Sequence, residues 1–143
     1  MIVNIYIQSS IKGPAKRSGI VGFVIEAEGR SDRTITQFGR VSDVAENESY
    51  LIALKYALKR LTKPCELVVW MDNTYISSAF EQNWIEKWQE NDWKNARGKP
   101  VSQNWKETLI LLNGRDILFR IKEKHEYKTW LTEEVERRVK KNV

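Results

Sequence analysis

Cysteine and histidine are almost missing from this chain. One of each occurs in 143 residues, Cys65 and His125. A single thiol excludes a disulfide framework and a cysteine-built zinc site, and a single imidazole excludes a histidine-cluster metal centre. No apolar run approaches the ~18 residues that a membrane span needs, so no membrane partner is expected. The opening Met1-Ile2-Val3-Asn4-Ile5 has no basic stretch ahead of an apolar one. A signal peptide is therefore not expected, and a cytoplasmic location is. Low-complexity tracts, internal repeats and interdomain linkers are also lacking, so residues 1–143 are read as one domain.

The composition that remains is that of a globular domain, with 41% hydrophobic and 30% charged residues. The net charge is +5 and the pI about 9.3, which favours acidic partners only weakly. Six tryptophans are the unusual feature.

Alternating β-rich residues mark a strand over Val3–Ile7, a second over Ile20–Glu26 and a third over Thr34–Val41. Lys12–Gly19 reads as a basic Gly-Pro loop, and residues 28–32 as a turn. The period then changes. Leu51, Leu54, Leu58 and Leu61 recur at helical spacing, and Lys63-Pro64 ends that helix. Leu67–Met71 is a near-continuous apolar run, the mark of a buried parallel strand. Asn73-Thr74 starts a short helix through Phe80. Residues 83–106 read as a helix, a basic loop and the start of another helix that Gly114 closes. A fifth strand follows over Ile117–Ile121, then a charged helix over Thr132–Lys141 with a thin stripe of Leu131, Val135 and Val139. The expected class is α/β, with a five-stranded mixed sheet flanked by helices.

Several segments carry a resemblance. Ile5-Tyr6-Ile7-Gln8-Ser9-Ser10 is similar to a strand ending in Thr-Asp-Gly-Ser. Cys65–Tyr75 is similar to a strand closing on Asp-Ser-x-Tyr. Trp84, Trp88, Trp93 and Trp105, with Gly98-Lys99-Pro100-Val101, share one spacing with a basic protrusion and its following helix. Together they resemble ribonuclease H of the bacterial type-one class over nearly the whole chain. The resemblance implies sheet order 3-2-1-4-5 with the third strand antiparallel at an edge. It also implies cleavage of the RNA strand of an RNA–DNA hybrid by two magnesium ions about 3.5–4 Å apart.

Magnesium wants anionic oxygen ligands, and the resemblance implies four carboxylates. The strand-one aspartate falls on Gln8, and the aspartate ending strand four on Asp72. The first-helix glutamate directly precedes the leucine stripe, which places Tyr50 there. Glu48 lies two residues earlier, roughly 200° round the helix. Glu48, with Glu46, is a possible substitute. The last-helix aspartate falls on Val135 when counted from His125 without gaps, and on Glu133 or Glu134 when the apolar stripe is aligned with a short gap; Lys128-Thr129-Trp130-Leu131 replaces the Gly-Asn-Glu signature. His125 takes the place of a loop histidine that assists proton transfer, although a packing role is the simpler reading. Asp72 has a rival reading as the cap of the helix after it.

With Gln8 and Tyr50 neutral, the metal site is expected to be abandoned and no cofactor to be needed. An active form would use Mg2+ or Mn2+. Nucleic acid, RNA–DNA hybrid or double-stranded RNA, is the expected partner. Lysines among aromatics suit a phosphate backbone with stacking. The expected contacts are Trp84, Lys87, Trp88, Trp93, Lys94, Arg97 and Lys99 on the protrusion, Lys12, Lys16 and Arg17 on the first loop, and Asn47 and Thr74 near the site. Two alternatives stand beside this. One is an active enzyme with a rearranged site of Asp72, Glu48 and Glu133 or Glu134. The other is a protein-interaction module that keeps only the fold.

Overall fold

The computed structural model describes residues 1–30 and 32–141. Strands β1 (Ile2–Ser9), β2 (Arg17–Ala27) and β3 (Thr34–Val44) run as an antiparallel meander. Helix α1 (Glu46–Lys59) leads to β4 (Glu66–Met71), which pairs parallel to β1. Three helices follow, α2 (Thr74–Glu81), α3 (Trp84–Glu90) and α4 (Gln103–Leu112). Strand β5 (Ile117–Ile121) then pairs parallel to β4, and α5 (Lys128–Lys141) ends the described chain. The sheet order is β3-β2-β1-β4-β5, with β3 antiparallel at one edge, as the resemblance implies. Among the described residues no helix is long and apolar enough to cross a membrane.

The two faces of the sheet are covered unequally. Ile5, Ile7, Val21, Phe23, Ile25 and Val69 meet the stripe Leu51, Leu54 and Leu58 of α1, and this core continues to Trp88 and Trp105. On the opposite face Tyr6 and Val24 pack with Leu131 of α5, and Phe38, Trp70 and Tyr127 close around them. Strand β2 is therefore buried on both sides from Gly19 to Glu26.

Several boundaries differ from the sequence reading. Strand β2 starts at Arg17, within the expected basic loop, because Arg17 and Gly19 already pair with β3. Helix α1 stops at Lys59, ahead of Lys63-Pro64. Helix α5 begins at Lys128, four residues before the expected Thr132, because Leu131 is buried and docks its first turn. Both Asn113 and Gly114 are left-handed after α4 (φ 51° and 74°), the conformation that a helix C-terminus favours. Of the turn expected over residues 28–32, Ser31 lies outside the described residues.

Candidate functional site

Parallel pairing of β1 with β4 brings two strand ends to one place. Tyr6 registers with Trp70, so Gln8 and Asp72, each two residues further, share the same side of the sheet. The C-terminal ends of parallel strands are where α/β sheets put functional groups. Helix α1 adds Tyr50, and α5 adds Thr132 and Lys128.

The hydrogen bonds fix the direction of the Gln8 amide. Its Oε1 accepts from the Tyr50 hydroxyl at 2.7 Å and from the Ser9 N–H at 3.1 Å. Both carbonyl lone pairs are then used. Its Nε2 points the other way, to Asp72 Oδ2 at 3.4 Å and Thr132 Oγ1 at 3.2 Å. The Thr132 hydroxyl donates to the Lys128 carbonyl at 2.8 Å. The Lys128 ammonium lies 3.0 Å from Asp72 Oδ1. Tyr50 is fully buried, and burial followed by the charge of Asp72 pushes its phenol well above the ordinary range. It therefore remains a protonated donor to Gln8.

This donor set does not fit a pair of divalent ions. Asp72 is the one carboxylate in the set, and a cation approaching it would meet the Gln8 N–H group and the Lys128 ammonium. Among the described residues no three His, Cys, Asp or Glu side chains gather as a metal site.

The expected substitutes lie elsewhere. Glu48 faces α4, where its Oε2 accepts from Ser102 Oγ at 2.5 Å and Asn104 Nδ2 at 2.6 Å. Glu46 accepts from the Gly13 N–H at 2.9 Å and pins the first loop. Glu134 pairs with Arg137 at 2.6 Å and Arg138 at 3.7 Å, and the Arg137 hydrogen bond holds its carboxyl below the usual range. Glu133 is exposed one residue past the place. The α5 position facing Gln8 is Thr132, a correction to the expected Glu133 or Glu134. Residues four apart share a helix face, so starting α5 at Lys128 would have pointed to Lys128 and Thr132 together. That signal was present in the Leu131–Val135 stripe.

Asp72 is not the cap of α2. Asn73 is: its Oδ1 accepts from the Ile76 N–H at 3.2 Å, and its Nδ2 donates to Asn47 Oδ1 at 2.7 Å. His125 packs against Tyr6 and Trp70, with ring centroids 4.7 and 5.7 Å away. Its Nδ1 accepts from the Tyr127 N–H at 3.2 Å. Burial first, then the neighbouring Lys128 charge, push its pKa down to about 4 against the opposing pull of Asp72. It is a neutral ring near pH 7.

The expected basic contacts lie on the first loop and on the protrusion. Lys12, Lys16, Arg17, Asn47 and Thr74 are exposed. The loop carrying Lys12 is tied to the start of α1, since the Glu46 N–H donates to the Gly13 carbonyl at 3.1 Å. On the protrusion, Trp88 and Trp105 are 8% and 1% exposed, with ring centroids 5.3 Å apart and planes tilted by 59°. Trp88 is therefore mainly core packing. Trp84 and Trp93 are half-buried, and Lys106 lies over the Trp93 ring at 5.3 Å. An open cleft of about 500 Å³ is lined by Tyr75, Trp84, Lys87, Trp88, Lys94 and Asn95, among others. Beyond it a turn closed by the Lys94–Pro100 bridge holds Arg97 and Lys99 outward. Asn95 Oδ1 accepts from the N–H of Arg97 at 2.9 Å and of Lys99 at 3.1 Å.

The sheet order, the Asp72 strand end and the tryptophan-lined protrusion find their counterpart in known proteins. The family model for RNase H matches residues 2–130. The chain belongs to the RNase H family. It is 32% identical over 113 residues to a ribonuclease H of Acetivibrio thermocellus, covering 78% of this chain and 74% of that one. Matches to several further curated ribonucleases H span about half of either chain. Among solved structures, LC9-RNase H1, described as a type 1 RNase H with the type 2 active-site motif, superposes with a TM-score of 0.71. It shares 16% identity, over 99% of this chain and 74% of that one. The foamy viral protease-reverse transcriptase, solved in complex with RNA/DNA hybrid, gives a TM-score of 0.64 at 16% identity. That match covers 92% of this chain and 18% of the viral one. These structural likenesses are likenesses of fold.

Proposed function

We propose that residues 1–143 form one RNase H-like domain that binds nucleic acid, RNA–DNA hybrid or double-stranded RNA, and does not cut it. The observation that carries this reading is the state of Asp72. One of its oxygens faces the Lys128 ammonium and the other the Gln8 amide N–H. Hydrolysis in this family's manner needs cations held by several anionic oxygens, and clustered carboxylates need those cations in return. Here both needs are gone together. Gln8, Tyr50 and Thr132 are neutral, and Lys128 supplies the positive charge that Asp72 requires.

Binding rests on different residues. The exposed cations of the protrusion and of the first loop support contact with a phosphate backbone, as does the cleft beside Trp84. A neighbour in fold has been solved with an RNA/DNA hybrid, which supports the same class of partner. The test is to incubate the purified chain with labelled hybrid in Mg2+ or Mn2+ and to measure binding across salt. The expected result is intact hybrid and an affinity that falls as salt rises. Metal-dependent cutting that survives repurification and disappears in Asp72→Asn would overturn the reading in favour of an active enzyme. Affinity absent even at the lowest salt would favour a protein-interaction module.

A further inference from the structure

We propose that the pocket beside Asp72, walled by Lys122, Lys124, Lys128, Thr129 and Thr132, seats a phosphate of the bound strand without any metal ion. The inference rests on the reading of this chain as a nucleic-acid binder and adds where, and by what chemistry, the strand is held.

The pocket has a volume of about 630 Å³ and opens beside the C-terminal ends of β4 and β5. Three lysines line it against one glutamate, Glu133, and His125 lines it as a neutral ring. Its shape follows from the backbone. Lys122 has a left-handed conformation (φ 58°), and its N–H donates to the Met71 carbonyl at 3.0 Å. A bulky residue rarely adopts that conformation, and here it turns the chain sharply off β5 toward α5. Lys122 and Lys124 line the opening together with Lys128 and Thr129 of the first turn of α5.

Lys128 links this pocket to Asp72. An ammonium has three donors. One meets Asp72 Oδ1 at 3.0 Å, and the side chain, 30% exposed, also lines the pocket. A phosphodiester brought beside a bare carboxylate would be repelled, so a cation has to stand between them. Lys128 is placed to do this as a fixed part of the chain. An ammonium binds phosphate as a point charge, with no demand for the octahedral oxygen set that magnesium imposes. The neutral Gln8 and Thr132 around it are what such an arrangement requires. Further carboxylates there would compete with the phosphate for the same ammonium.

The experiment uses the full chain and a short fluorescent RNA–DNA hybrid, with parallel titrations in EDTA and in Mg2+ at matched ionic strength. Lys122→Ala with Lys124→Ala leaves the Lys128–Asp72 pair intact and keeps the test valid if Lys128→Gln folds poorly. Thermal melts identify any such failure. Hybrid affinity in EDTA is expected to be no weaker than in Mg2+. The double variant is expected to lose about tenfold in affinity, and its salt slope to flatten by roughly one unit per phosphate contact removed. Lys128→Arg should retain most of the affinity, and Lys128→Gln should not. Parent-like affinity and slope in the double variant, alongside weakened binding in Lys94→Ala with Lys99→Ala, would overturn the phosphate seat and leave the binder reading standing. A pocket that takes inorganic phosphate, but whose lysines do not affect hybrid affinity, would be a free-anion site and would overturn it equally. Loss of affinity on adding EDTA would show that a metal, not Lys128, bridges to the strand. No hybrid binding by the parent at the lowest salt would remove the binder reading, and the inference with it.

Discussion

Aspartate and glutamine offer different things to a cation at a strand end. A carboxylate presents two anionic oxygens, whereas Gln8 presents one neutral oxygen, already used by Tyr50 and Ser9, and a pair of N–H donors turned to Asp72 and Thr132. The site is thereby made self-satisfied by hydrogen bonds. Reversing three side chains should reverse this. Gln8→Asp with Thr132→Asp and Lys128→Ala places three carboxylates around one point, where like charges repel. The triple variant should be less stable than the parent without metal. Manganese at a hundredfold over its Kd should then return about 2.7 kcal/mol, because it binds only the folded state. The readout is a manganese-dependent rise in Tm of the variant that the parent lacks. Restoring Lys128 in that background should shrink the rise, since the ammonium competes for Asp72. An equal rise in the parent would show that the parent already holds the ion.

Short elements position the site, and their caps matter more than their propensities. Helix α2 has eight residues, too few to be stable alone. Its start is fixed by Asn73, 5% exposed, which caps the Ile76 N–H and reaches Asn47 on α1. This one side chain joins two helix starts beside Asp72. Asn73→Ala should cost about 1 kcal/mol for the cap, with a further loss because Asn47 is left without its donor. Asn73→Asp keeps the acceptor and loses the donor, so it should fall between the two. Urea denaturation reads this as a lowered midpoint with an unchanged m-value. An Asn73→Asp variant no more stable than Asn73→Ala would show that the Asn47 bond, not the cap, is what holds α2.

The whole molecule stands on a sheet covered on both faces, and the α5 face carries the chain's one histidine in an aromatic cluster with Tyr6 and Trp70. Burial there gives a pH dependence whose sign can be worked out. The unfolded chain protonates His125 near its ordinary 6.5, and the folded chain only at about 4. Between those values the unfolded state holds more protons, so folding stability drops as the pH falls through that window. His125→Phe keeps a ring in the cluster and removes the titration. Its Tm should decline less steeply than that of the parent between pH 6.5 and about 4. Parallel profiles would show that the imidazole protonates as freely in the folded chain as in the unfolded one.

The sequence by itself determined the class of the sheet and its strand count, because periods of two and 3.6 residues are local properties. It also put neutral residues, Gln8 and Tyr50, at the strand-one and first-helix positions, with Glu48 and Glu46 left open as substitutes. Tertiary structure decided the rest of the site. The last-helix position had three candidate registers, and only the docking of Leu131 on Tyr6 and Val24 selected Thr132. The same docking extended α5 back to Lys128 and carried its ammonium to Asp72, a partnership 56 residues apart in sequence that no local pattern encodes. Glu48 shows the converse. Its helical angle was readable, but its partners, Ser102 and Asn104, come from a helix whose approach only the packed core fixes. Local pattern sets which residues share a face of an element, and long-range packing sets what that face meets.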